Sequence, residues 1–351
     1  MGQHKKKKKI FVVIGLCAIL ILVGLSVREV YFVRPKIENF SNAQNIFVVK
    51  KGESFRDIGL NLQKAGLIKS KFWFDIFVLF SGRLSKLQAG ACDFSDGPTI
   101  SQIVNKISQG DVKKEKITIL EGWNVFDIAN YLEQKQIFSQ DDFLTAAKEK
   151  TKEIQEIFSS EPFLMFDFLS SNGRLVGLEG FLFPDTYEFV FGSSISDMLR
   201  EMLANFKTKI SDDLRSEIKK QNKTIYEILI MASLLEKEVK TYSDKQLVAG
   251  ILWKRLENNW PLQVDATLNY ILDKPSAKLF LDDLQVNSPY NTYLYKGLPP
   301  GPICNPGLES IKAAVYYKQN PYWYYLSSPS GQTIFSETFE EHKAAKAKYL
   351  R

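Results

Sequence analysis

The chain has 351 residues, 45% of them apolar and 25% charged, an ordinary globular composition with room for two or three folded units. Its formal net charge of +6 is almost wholly supplied by five consecutive lysines, Lys5 to Lys9, so the remainder is close to balanced and gives little support to nucleic-acid binding, which needs basic residues clustered along a folded face. Three cysteines exclude a disulfide scaffold, and two histidines leave a histidine-rich zinc site or a Ser-His-Asp triad short of parts, although His342 alone is available to either.

Directly after the lysines, Ile10 to Val27 forms an uncharged run of eighteen residues closed by Arg28. At about 1.5 Å per residue it spans most of a hydrocarbon core of about 30 Å. Lysines before it place residues 1–9 in the cytoplasm and the bulk of the chain outside, in the periplasmic or extracytoplasmic space. Gly24 and Ser26 also have the small-x-small spacing of a signal-peptidase site, but the run outlasts most signal-peptide cores and reads as an uncleaved, single-pass anchor in the cell (inner, cytoplasmic) membrane. Cys17 is a small apolar residue within it, leaving only Cys92 and Cys304 able to pair in an oxidising compartment. Residues 28–45 lack a sustained period and contain Pro35, so they read as a linker.

A repeat follows. Gly52 is followed by Phe55, Ile58 and Leu62; Gly97 by Ile100, Ile103 and Ile107; Gly122 by Val125, Ile128 and Leu132. Glycine with apolar residues at the third, sixth and tenth places describes a turn that opens a short amphipathic helix. The first and third copies follow β-type runs, so the pattern predicts small α+β modules. The first copy, FVVKKGESFRDIGLNLQKAGLI, resembles the LysM module, which binds N-acetylglucosamine polymers; a packing role without sugar binding fits the same pattern.

From about residue 139 to 220 the sequence is helical and charged, interrupted by Leu178 to Phe189. There Phe181, Phe183, Tyr187 and Phe189 alternate around Pro184 and Asp185, with Glu179 just before. Two readings stand: a buried strand and turn, or a sugar platform whose aromatic faces cover pyranose rings while Glu179, Asp185 and Tyr187 bond hydroxyls.

In Ile225 to Lys240 an apolar helical run acquires two glutamates, Glu236 and Glu238. At about 100° per residue they point roughly 200° apart and meet different surroundings. Met231, Leu234 and Leu235 share the face of Glu238; Leu229, Ala232 and Ser233 share that of Glu236, which also has Lys240 at i+4 for a solvated ion pair. A carboxyl among leucines keeps its proton toward neutral pH, as a general acid must. The bland alternative is that both are solvated charges near a helix end.

The stretches MASLLEKEVKTYSDKQLVAGILWKRLENNWPLQVDATLNYIL and NSPYNTYLYKGLPPGPICNPGLESIKAAV, with LEGFLFPDTYEF and YYLSSPSGQTIFSETFEEHKAAKAKYL, closely resemble the YceG-like (MltG) family of endolytic murein transglycosylases, over roughly residues 46 to 351. The resemblance implies a lyase that cuts the β-1,4 bond between N-acetylmuramic acid and N-acetylglucosamine of peptidoglycan glycan strands, inside the chain, leaving 1,6-anhydro ends and setting strand length. It implies Glu238 as the catalytic acid and base, and peptidoglycan synthases or penicillin-binding proteins as partners; nothing in the sequence resembles a phosphate loop or a metal motif, so no cofactor is expected. It marks Gln263, Asp265 and Thr267, alternating on an extended segment, as cleft-lining, with Asp265 alternatively capping the next helix. Tyr290, Asn291 and Thr292 offer hydrogen bonds to acetamido and hydroxyl groups, and Glu236 is a further substrate contact. One departure is that Thr333 stands where the family often has a histidine.

The expected architecture is α+β: a basic tail (1–9), a membrane anchor helix (10–27), a linker (28–45), a LysM-like module (46–115) and a mixed α+β catalytic domain (116–351). A muramidase that admits water and a non-catalytic peptidoglycan-binding scaffold are the competing functions.

Overall fold

The structure is a computed structural model and describes residues 2–34, 46–50, 52–111, 113–149, 177–272 and 279–350. Most of the expected linker, residues 35–45, and part of the charged stretch, residues 150–176, lie outside the described residues. The chain divides into two compact units, one of residues 1–116 with 188–193 and one of residues 117–187 with 194–351.

The first unit begins with α1 (Gly2–Tyr31), of which Val13–Tyr31 is long and apolar enough to cross a membrane by length and composition. Then come β1 (Ile46–Val49), α2 (Phe55–Lys64), α3 (Lys71–Phe80), β2 (Gly90–Asp93) and α4 (Ile100–Gln109). β1 and β2 are antiparallel, with Ile46 opposite Asp93 and Val49 opposite Gly90. Their inward residues join Ile58, Leu62, Phe74, Val78, Ile103 and Ile107 in one core, and Val30 from the last turn of α1 is part of it.

Strands β3 (Lys114–Thr118) and β4 (Thr186–Val190) pair, and the chain passes from one unit to the other within each of them. In the second unit α5 (Val125–Gln134) and α6 (Gln140–Glu149) pack together, followed by α7 (Ile195–Lys209) and α8 (Asp212–Lys220). Next come α9 (Ile225–Glu238), α10 (Tyr242–Glu257), α11 (Asp265–Leu272) and α12 (Leu308–Val315). The antiparallel hairpin β5 (Tyr324–Ser327) and β6 (Thr333–Ser336) and the last helix α13 (Phe339–Tyr349) complete the unit.

The glycine repeat is a repeat of geometry. Gly52, Gly97 and Gly122 take φ of 81°, 61° and 80°, and helices α2, α4 and α5 each begin three residues later. Ser54, Thr99 and Asn124 cap these helices through side-chain oxygens, and the latter two form reciprocal capping boxes with Gln102 and Asp127. The apolar residues at the sixth and tenth places are buried in all three.

The second unit is organised around α9. It starts at a capping box between Thr224 and Glu227, and Ile228 to Leu235 are buried without a break. A helix apolar on every side belongs at the centre of its domain, and α12, α10 and α11 pack around it. It stops at Val239, whose extended backbone (φ −143°, ψ 151°) turns the chain toward the Thr241 cap of α10.

Candidate active site

Glu238 is the last residue of α9 and opens onto a cleft of about 830 Å³. Its carboxyl is partly buried and raised from the ordinary carboxylate value to about 7. Burial is the main cause and the nearby Asp265 carboxylate the second; a hydrogen bond from Tyr325, the backbone N–H of Ala266 and the Arg255 cation offset part of it. The end of α9 acts in the same direction, since the negative pole of a helix disfavours a carboxylate there. The Tyr325 hydroxyl donates to Glu238 Oε2 at 3.2 Å and the Ser327 hydroxyl to the Glu238 carbonyl at 3.1 Å. Both come from β5, where residues two apart share a face. Burial holds the Tyr325 phenol well above its ordinary value, so it remains a donor.

Glu236 leads a different life. Its Oε1 pairs with Lys245 Nζ of α10 at 3.1 Å, and both side chains are at least nine-tenths buried. Its Oε2 accepts from the Gly307 N–H at 3.0 Å and the Ser310 hydroxyl at 2.6 Å. Gly307 has no side chain with which to cap α12, so Glu236 caps that helix from another one. The expected solvated pair with Lys240 is thus replaced by a buried pair with Lys245, because α10 and α12 close over this face. The expected contrast in greasy neighbours also fails: Leu229, Ala232 and Ser233 are as fully buried as Met231, Leu234 and Leu235. What distinguishes the two carboxyls is the element each faces across the gap.

Gln263 and Asp265 line the cleft with Glu238, but Thr267 does not. An extended run would have put all three on one face; α11 begins at Asp265 instead, so Thr267 turns inward. Its hydroxyl donates to the Val264 carbonyl at 2.8 Å and meets the Thr292 hydroxyl at 3.1 Å. Asp265 is the first residue of α11 and accepts a hydrogen bond from the Tyr293 hydroxyl. Gln263 holds a left-handed backbone, φ 53°, and its N–H donates to the Thr292 carbonyl at 3.0 Å. Strained backbone of this kind concentrates at working sites.

Other expected contacts lie behind the cleft wall. Asn291 is buried with its amide donating to the Leu284 and Val286 carbonyls and its Oδ1 accepting from the Tyr293 N–H. Thr292 is buried and accepts from the Val264 N–H at 2.9 Å. Tyr290 packs on Tyr270, and its buried hydroxyl has no hydrogen-bond partner among the described residues. These three residues brace the segment that presents Tyr293.

The Leu178–Phe189 stretch is core rather than platform. Phe181, Phe183, Tyr187 and Phe189 are all buried, so no ring face is open to a sugar. Glu179 is buried as well and accepts from the Val125 N–H at 3.1 Å and Asn305 Nδ2 at 3.2 Å; burial raises it to about 8. Asp185 binds Asn205 and Lys209 at 3.0 Å each, and these bonds outweigh its burial and bring it below the ordinary range. Tyr187 donates to the Phe183 carbonyl and accepts from Asn205.

The cleft also holds residues that the sequence did not place in it. Arg255 of α10 is buried, with donors on the Trp323 and Leu262 carbonyls and its guanidinium 5.6 Å from the centre of the Tyr324 ring. Tyr293 and Tyr325 are the two phenols beside the carboxylates. His342 of α13 stacks on Tyr324 at 5.2 Å, and burial, then Lys346 and Arg255, lower it to about 4, so it is neutral at physiological pH. Period-two alternation in YYLS pairs Tyr325 with Ser327, the one signal that pointed here. Nothing local marks Arg255. Cys92 and Cys304 are each buried with a free thiol.

Residues 47–348 match the YceG-like family. The chain belongs to this family. The YceG-like chain is 31% identical over 304 residues to an endolytic murein transglycosylase of Bacillus subtilis (strain 168), covering 86% of this chain and 84% of that protein. It is 27% identical over 320 residues to an endolytic murein transglycosylase of Streptococcus pneumoniae (strain D39), covering 86% of this chain and 58% of that longer one. Among solved structures, a putative yceG-like protein of Listeria monocytogenes superposes with a TM-score of 0.61 at 31% identity, over 87% of this chain and 100% of that chain.

Proposed function

We propose that this YceG-like chain is an endolytic murein transglycosylase, a lyase, in which Glu238 is the catalytic acid and base. The single observation that carries the reading is one half-buried carboxyl, with a value near 7, hydrogen-bonded by Tyr325 at the edge of a cleft large enough for sugar rings. Glu238 passes its proton to the oxygen of the β-1,4 bond between N-acetylmuramic acid and N-acetylglucosamine as that oxygen leaves C1. The carboxylate then takes the proton of the muramoyl C6 hydroxyl, whose oxygen closes on C1. The product is a 1,6-anhydro end and no water is consumed. A single carboxyl suffices because the nucleophile belongs to the substrate, whereas ordinary glycosidases use a second carboxylate. The Asp265 charge helps Glu238 keep its proton before the step, and Arg255 and Tyr325 stabilise the carboxylate after it.

Asp265 in the same cleft favours a second reading, a muramidase in which it activates water. Mass spectrometry of products from uncrosslinked glycan separates the two. Anhydro ends that disappear in Glu238→Gln support the lyase; only hydrated, reducing ends, lost in Asp265→Asn, support the hydrolase. Full activity of Glu238→Gln in cells would leave the non-catalytic scaffold standing.

The order strand, helix, helix, antiparallel strand of residues 46–93 supports a LysM-like module within 46–115, ahead of a catalytic domain from 116 to 351. The apolar Val13–Tyr31 helix supports a single-pass anchor, with residues 1–9 cytoplasmic and the bulk outside the membrane; the expected linker cannot start at 28, because α1 runs on to Tyr31. In that position the enzyme cuts nascent strands as they emerge, sets their length and works beside peptidoglycan synthases.

A further inference from the structure

We propose that α3 is a second membrane contact, lying in the headgroup and acyl boundary of the leaflet from which α1 emerges. This rests on the reading of α1 as a membrane span. The helix KFWFDIFVLF carries only Lys71 and Asp75 as charges, and these pair with each other. Phe74 and Val78 fill the core of the first unit, yet the other side is no less apolar. Phe72 is 62% exposed, Leu79 52% and Phe80 86%, with the half-buried Ile76 between them. Positions 72, 76, 79 and 80 fall on one stripe of the helix, and Leu84 just beyond its end is also exposed. A surface helix ordinarily shows water a polar face, and a contiguous apolar stripe marks a contact with lipid or protein.

The position of α1 selects lipid. Its last turn is not a free stalk: Val30 is in the core of this unit, and the Tyr31 ring meets Phe77 of α3 edge-on at 5.9 Å. Phe80 is one helical turn from Phe77, about 5 Å along the axis. The C-terminal end of the exposed stripe, Leu79 and Phe80, therefore lies within a helical turn of the point where the span ends, and Phe32, also exposed, follows that point directly. Aromatic residues at this level are at home in the interface. The ends of α3 carry the matching charge, with the exposed Lys69 before it and the exposed Lys86 after it, suited to anionic headgroups. Two anchoring elements also hold a small module far more firmly at a surface than one span followed by a free linker.

The test uses the full chain, with Cys17→Ser and the buried Cys92 and Cys304 left in place, in vesicles containing anionic phospholipid. Single cysteines at Phe72, Phe80, Val23 and Asp111 carry an environment-sensitive fluorophore. Expected is a blue shift at positions 72 and 80, quenching by nitroxide-bearing lipids, and loss of quenching by aqueous iodide. Position 23 reports the span, and position 111, exposed elsewhere on this unit, stays open to iodide. Iodide access at 72 and 80 with lipid quenching at 23 overturns the proposal and leaves the span intact. Absence of lipid quenching at 23 overturns both. Shielding from iodide without lipid quenching, growing with protein density, assigns the stripe to a second copy and also overturns it.

Discussion

Replacing Glu238 by glutamine tests the central physical claim independently of any substrate. The folded carboxyl has a value of about 7 against 4.5 in the unfolded chain. Below about pH 4.5 both states hold the proton and the site costs nothing. As pH rises toward 7 the unfolded chain gives up its proton while the folded one keeps it, so stability falls; above about 7 both are ionised and the penalty levels off. At about 1.4 kcal/mol per pH unit, the penalty at pH 9 is about 3 kcal/mol. Glutamine has the same shape and no charge, so Glu238→Gln should match the parent at pH 4 and exceed it by up to about 3 kcal/mol at pH 9. Thermal or urea denaturation of both proteins across pH 4–9 measures the difference, and the contribution of Glu179 cancels because both proteins retain it. The same substitution should lower turnover by at least about 100-fold, the usual scale for losing a general acid. A stability difference that stays flat from pH 4 to 9 would refute the reasoning, because the carboxyl would then be titrating as it does in water.

Tyr325→Phe removes a hydrogen bond that holds the Glu238 value down, so the alkaline limb of the activity profile, near pH 7 in the parent, should move to higher pH; a move to lower pH would contradict the geometry. Glu236→Gln leaves the Lys245 ammonium buried without its counter-charge and should cost about 3–5 kcal/mol of stability, read by denaturation, while Glu238 retains its own partners. Wild-type stability there would mean that the pair is solvated after all. Gly250→Ala drives a Cβ into the Lys318 carbonyl oxygen, a backbone atom that cannot swing aside, and should destabilise by about 1–3 kcal/mol, whereas Gly24→Ala in α1 meets no atom of the described residues and should be neutral.

Whatever depends on neighbours along the chain was legible before any packing was known. The three glycine-led helices start where their spacing placed them, because a turn, a cap and an apolar stripe are local instructions. The uncharged run after the lysines is a single long helix for the same reason. The separation of Glu236 from Glu238 also followed from helical pitch, but not the character of either. Their own helix is buried on every side, so periodicity held no information about which face met a cleft. Lys245, Gly307 and Ser310 lie 9, 71 and 74 positions from Glu236, and Tyr325 lies 87 from Glu238. The aromatic run at Leu178–Phe189 failed for the converse reason: a ring suited to a sugar and a ring suited to a core look alike until the surrounding layers are in place. Tertiary structure alone decided which carboxyl was neutralised inside the protein and which was left holding a proton at the edge of water, because a carboxyl answers to the charges and donors a few ångströms away, wherever in the chain they come from.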